Sequence, residues 1–177
     1  MVTSAEIMTP RYSLRMTNLR RTLSLLGTVV LGQLCLPGDV VAWCALLLVR
    51  ALWGSSSRWS WSDEVLVVSL REGSWPARTW FRSWGGATLG HAVMLAPGQE
   101  RVLPHELVHV KQYEAACCLG ALVGLVVLAL GSWRGALAAW CLAPALSYVG
   151  AMLAALLRGR APYRENVLEA AAYAEAP

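Results

Sequence analysis

Residues 115–157 contain a single charged side chain, Arg134. A run this long and this apolar must be hidden from water on every side, and a chain of 177 residues has little else to hide it with. Lipid is the solvent that accepts it. The segment Gly131-Ser132-Trp133-Arg134-Gly135 reads as a break, so the run divides into two apolar helices joined by a turn. Residues 136–157 are long enough to cross a bilayer core, which takes about 20 residues. Residues 115–130 are shorter, but the same helix extends them from its N-terminal side.

The rest of the composition agrees. Hydrophobic residues make up 56% of the chain and charged residues 15%, against about 45–50% and about 25% in soluble domains. That excludes a disordered chain and argues against an ordinary water-soluble enzyme. The net charge is +4, yet Lys111 is the sole lysine, and no basic run is interleaved with aromatics. Nucleic acid is therefore not an expected partner. The arginines flank apolar stretches instead, and Trp53, Trp59 and Trp61 follow one such stretch, as interfacial anchors do. The five cysteines all lie in apolar runs and form no C-x-x-C pair, so they read as small buried hydrophobes rather than disulfide partners.

Three parts are expected: a basic N-terminal segment (1–21), an apolar membrane segment (22–53), and a domain over 54–177 that carries the apolar hairpin 115–157 as an insert. Pro37-Gly38-Asp39 interrupts the 22–53 segment. Either one long tilted helix tolerates Pro37, or two short helices form a hairpin or re-entrant pair. A removable signal is disfavoured because the apolar run continues to Leu52. Ser55-Ser56-Ser57 reads as a linker, and residues 64–70 and 87–95 as two or three short strands. Pro104 suits the first position of a helix, and a last polar helix is expected from Arg164 to about Ala174. The fold class is mainly α with a small β-sheet or hairpin (α+β).

His105-Glu106-Leu107-Val108-His109 is the one strong motif. On a helix the two imidazoles lie four residues apart on one side and can share a metal. Glu106 then sits where it can take a proton from water at that metal. Catalytic zinc wants three protein ligands and an open position. Glu169, on the last polar helix, is the best-placed third ligand. Glu165 shares its helical face and could replace it or buttress a histidine. His91 is an outside candidate on a strand before the helix, and Glu114 points away from the His105–His109 face.

The sequences PHELVHVKQYE and RGRAPYRENVLEAAAY resemble paired motifs in a group of small bacterial zincin-like proteins. The resemblance covers residues 104–113 and 158–173 and the preceding Gly-His strand. Among zinc peptidases the pattern is similar to the gluzincins, where a Glu on a downstream helix completes a His-His-Glu site. The resemblance implies zinc ligation by His105, His109 and Glu169, with Glu106 as general base. The insert 115–157 departs from a soluble peptidase and favours a membrane-embedded one.

The expected function is therefore a membrane-associated zinc metallopeptidase acting on a peptide or protein substrate through a metal-activated water. Tyr113, Tyr163, Tyr173 and His91 are candidate oxyanion donors, and the strand with His91 could pair with an extended peptide. The alternatives are a non-catalytic membrane protein that keeps a zinc-binding scaffold, and a zinc hydrolase of a non-peptide substrate. Both halves of the motif must meet on one side of the bilayer, so the insert crosses an even number of times. Arg158, Arg160 and Arg164 stand on the site side and Arg134 on the other, which points the site toward the cytoplasm. A basic N-terminus on that same side requires 22–53 to cross an even number of times and favours the hairpin.

Overall fold

The computed structural model describes residues 30–48, 57–62, 65–82 and 84–176. The chain divides into two compact units, 1–33 and 34–177, and the second holds the site. The basic segment 1–21 and Trp53 lie outside the described residues, as do the side chains of Trp59 and Trp61.

Helix α1 (Val30–Leu48) is unbroken through Pro37 and Gly38. The break that a hairpin needs at Pro37 is absent, which corrects the expectation that favoured one. A proline removes a backbone donor and normally weakens a helix. Beside Pro37 the helix is tied to its neighbours by side-chain donors: Trp140 Nε1 donates to Leu34 O at 2.7 Å, and the Tyr113 hydroxyl donates to Cys35 O. Gly38 leaves room for the Tyr113 ring, since a Cβ there would lie 2.9 Å from its Cε2.

Four strands form a mixed sheet in the order β1-β2-β4-β3. These are β1 (Ser57–Ser62), β2 (Val65–Leu70), β3 (Gly86–Leu89) and β4 (Ala92–Leu95). β1 and β2 pair antiparallel, β2 and β4 parallel, and β3 and β4 antiparallel. β1 begins inside the stretch that reads as a linker, and residues 87–95 hold two strands, the larger of the expected numbers. Gly90 (φ +59°) turns the chain between them. His91 therefore sits in the turn, not on a strand.

Alternation along β2 buries both faces, as expected of an inner strand. Val65 and Val67, with Val93 and Leu95, pack on Leu103, Leu107 and Val110 of α3 (Leu103–Ala129). Leu66, Val68 and Ala92 pack on Ala42 and Leu46 of α1. The sheet is thus a layer between two helices. Each fully buried Val or Leu contributes about 1.5–3 kcal/mol. Between β2 and β3 lie a short helix, α2 (Trp75–Arg78), and a 3₁₀ turn (Trp80–Arg82) that buries Phe81 against Leu70 and Ala96.

α3 and α4 (Trp133–Leu157) make the expected antiparallel pair. Gly131 (φ +86°) turns the chain, and the Ser132 hydroxyl caps α4 by accepting from Gly135 N. The helices touch backbone to backbone at glycine. A Cβ on Gly124 would lie 2.9 Å from Ala136 O, and one on Gly120 2.5 Å from Ala143 Cβ. Small residues at such spacing let membrane helices approach closely. Leu119, Leu122, Leu125 and Val126 on α3 are exposed, as are Leu142, Leu146, Val149 and Leu153 on α4. α1, α3 (with its preceding turn) and α4 are each long and apolar enough to cross a membrane. Cys44 and Cys141 are exposed on this apolar surface rather than buried, and every described cysteine is free.

The last helix, α5 (Val167–Glu175), starts three residues later than expected. Asn166 explains the shift. Its side chain accepts from Leu168 N and Glu169 N, both at 3.0 Å, and donates to the carbonyls of Pro162 and Tyr163. This fully buried residue closes the preceding loop and opens the helix.

Candidate metal centre

The first turns of α3 supply His105, Glu106 and His109, and the first turn of α5 supplies Glu169. His105 Nε2 and His109 Nε2 lie 3.2 Å apart. Glu169 Oε2 lies 3.3 Å from the first and 3.5 Å from the second. A tetrahedral ion with ligands at about 2.0–2.1 Å separates them by roughly 3.3 Å. The three donor atoms therefore have the spacing of one tetrahedral face, and His105, His109 and Glu169 could hold a metal ion.

Neighbouring groups orient these ligands. Gln112 Nε2 donates to Leu168 O at 2.8 Å, which turns its Oε1 toward His109 Nδ1 at 2.9 Å. With its proton on Nδ1, His109 presents a lone pair at Nε2, the tautomer a metal needs. The Tyr148 hydroxyl on α4 donates to Glu169 Oε1 at 3.0 Å and leaves Oε2 to face the histidines. His105 packs its ring on Tyr173, with centroids 4.5 Å apart. Its Nδ1 is buried with no hydrogen-bond partner among the described residues. Burial pushes the Glu169 carboxyl up, but the bond and charge of His109, the Tyr148 bond and the charge of His105 outweigh it. They hold Glu169 below the usual carboxylate range.

Glu106 points elsewhere. It is buried against β3, where Thr88 Oγ1 lies 2.7 Å from its Oε2. A Cβ at Gly86 would come within 2.8 Å of its Oε1, so the strand needs glycine to pass this close. Glu106 thus lies between the histidine face of α3 and an edge strand.

The remaining expected site residues separate. Glu165 is exposed and accepts from Ala161 N at 3.0 Å in the loop before α5, so it is no ligand in this arrangement. His91 lies in a second cluster and is corrected as a ligand or oxyanion candidate. Its backbone N–H donates to Asp39 Oδ1 at 2.9 Å, its Nδ1 lies 3.0 Å from Asp39 Oδ2, and its Nε2 lies 3.1 Å from Glu114 Oε1. The bond to Asp39 outweighs the cost of burial, and with the Glu114 bond raises the His91 pKa to about 9. Both ring nitrogens are then donors. Tyr113 sets its ring edge-on to His91 and spends its hydroxyl on Cys35, so it is structural. Tyr163 stacks on Trp84 with centroids 5.7 Å apart. Burial, then the charges of Glu169 and Glu106, push its hydroxyl pKa up.

Three contributors carry no motif, Tyr148, Thr88 and Asp39; Gln112 lies inside PHELVHVKQYE, where the motif gives it no role. Asn166 was legible in principle as a helix-capping residue before an apolar-periodic run. Tyr148, a hydroxyl-bearing ring inside an otherwise apolar run, is the other visible signal. Comparison of the chain with protein-family models, with curated proteins and with solved structures gives no match.

Proposed function

We propose that the protein is a membrane-integral zinc metallopeptidase. The observation that carries this reading is the tetrahedral-face spacing of His105, His109 and Glu169 beside a buried glutamate that faces an edge strand. Two nitrogens and one carboxylate suit zinc, and three ligands leave a position open. Bound there, zinc supplies Lewis acidity, which brings water toward a pKa of about 7 and polarises a carbonyl.

The chain's own groups account for the rest. β3 is an outer strand, so an extended peptide can pair with its free edge and bring a peptide bond to Glu106. Glu106 accepts the attacking water's proton at Oε1, while Thr88 holds Oε2. The same carboxyl then returns the proton to the leaving amine. Tyr163 and Tyr173 are the phenols near the site that can donate to a developing oxyanion.

The deciding experiment measures zinc content and quenched-peptide turnover on one detergent preparation of wild type and Glu106→Gln. The variant should keep its zinc and lose about 10²–10⁴ in turnover. Near-wild-type turnover with bound zinc overturns the assignment, as does stoichiometric zinc in His105→Ala/His109→Ala.

A further inference from the structure

Beside the site a cleft of about 690 Å³ is lined by Arg78, Phe81, Arg82, Trp84, Gly85 and Gln99, among others. Its chemistry is one-sided. Arg78 ends α2 and Arg82 ends the 3₁₀ turn. Among the described residues neither has a carboxylate partner, because every ion pair there involves a histidine. Gln99 accepts from Arg101 Nε at 3.4 Å through its Oε1, which leaves its amide N–H groups to donate. Buried Phe81 supplies an apolar wall. Two guanidiniums and an amide donor above an apolar wall suit a carboxylate.

The cleft also adjoins the reacting centre. Gly85 in its wall is followed by Gly86, the first residue of β3, which passes against Glu106. Trp84 in the same wall stacks on Tyr163, in the loop that Asn166 ties to the start of α5. Thr88, which holds Glu106, is three residues from Gly85, about 10 Å along a strand. Glu106 Oε1 packs at Gly86, one residue from Gly85, so a peptide laid on the β3 edge with its scissile bond at Glu106 would bring a side chain one to three residues away into the cleft. Pro97 and Gln99, also in the wall, precede the first turn of α3. The exposed leucines of that helix begin only at Leu119, about 24 Å along its axis. That separation favours a peptide carboxylate over a lipid headgroup.

Building on the peptidase reading, we infer that this cleft is a substrate subsite that selects Asp or Glu within three residues of the cleaved bond through Arg78 and Arg82. The test uses the full chain in detergent, loaded with zinc, and peptides that differ only by Glu, Gln or Lys at each position flanking the scissile bond. Binding is read by fluorescence polarisation on Glu106→Gln protein and cleavage on wild type. At one position Glu should bind about tenfold more tightly than Gln. In Arg78→Glu/Arg82→Glu the preference should reverse toward Lys, a gain that also shows the variant is folded. Equal binding of Glu and Gln peptides at every position overturns the inference, and so does a Glu preference that survives the charge reversal. Arginine-dependent binding to phosphatidylglycerol vesicles without peptide discrimination overturns it too, in favour of lipid. Cleavage without charge discrimination removes the cleft and leaves the peptidase. Selective binding without any cleavage does the opposite.

Discussion

The Thr88 hydroxyl lies 2.7 Å from Glu106 Oε2 and 3.1 Å from the Glu106 backbone carbonyl, so one side chain of the edge strand meets both ends of the proposed general base. Its single proton goes to the shorter, charged contact. That fixes the carboxylate rotamer and ties it to the strand on which a peptide would lie.

Thr88→Val should therefore slow turnover by about tenfold, the worth of one hydrogen bond to a charged group. Zinc content should stay at wild type, and Thr88→Ser should restore most of the rate. Steady-state kinetics with metal analysis checks this. Unchanged kcat in the valine variant would show that the hydroxyl does not hold the base.

Tyr148→Phe removes the donor on Glu169 Oε1 and frees that carboxylate to rotate. Zinc affinity should fall about 10–100-fold, as it does when groups that orient ligands are lost. Competition with a chromogenic chelator measures it. Equal affinity would mean that α5 alone orients the ligand.

The His91 cluster sets a pH dependence. Asp39 faces the imidazole from α1, and Glu114 and Tyr113 face it from α3. Its pKa in the folded protein is about 9, against about 6.5 in an unfolded chain. The folded state binds the proton more tightly, so this stabilisation is complete below about pH 6.5 and is lost as pH rises through about 9. On the order of 3 kcal/mol is at stake, or about 10 °C in melting midpoint. Melting in detergent should decline over that window in wild type and stay flatter in His91→Gln. Parallel curves for the two proteins would exclude the assignment.

Gly124→Val places a branched side chain against the Ala136 carbonyl. α3 and α4 must separate, at a cost of about 1–3 kcal/mol. The chain reaches Glu169 through α4, so zinc affinity should fall along with the melting midpoint. A wild-type midpoint would show that the pair is looser than drawn.

The metal ligands were legible because their signal is local. His105 and His109 need only helical spacing, and Glu169 only a polar helix downstream. Their supports were not legible, because each depends on how separate elements dock. Thr88 matters through the docking of β3 on α3, and Tyr148 through the angle between α4 and α5. Asp39 looked like an interruption of an apolar run until His91 arrived from 52 positions away in sequence to neutralise it. β1 was hidden by its serines, whose composition says linker although Ser-Trp alternation in SRWSWS has the period of a strand. The start of α5 was misplaced because Arg164 and Glu165 are fair helix formers, while the buried Asn166 side chain diverts the backbone first.

The three candidate metal ligands are made at different times. His105 and His109, in the first turns of α3, leave the ribosome before the rest of that helix and all of α4, and Glu169 leaves after both. A growing chain that places this apolar hairpin in a bilayer would do so while the centre still lacks its carboxylate. Ion capture at this group would then be the last event in biogenesis, and a chain whose hairpin inserted wrongly could not close the triad. On the proposed reading, hydrolytic potential would be withheld until the protein has reached its place.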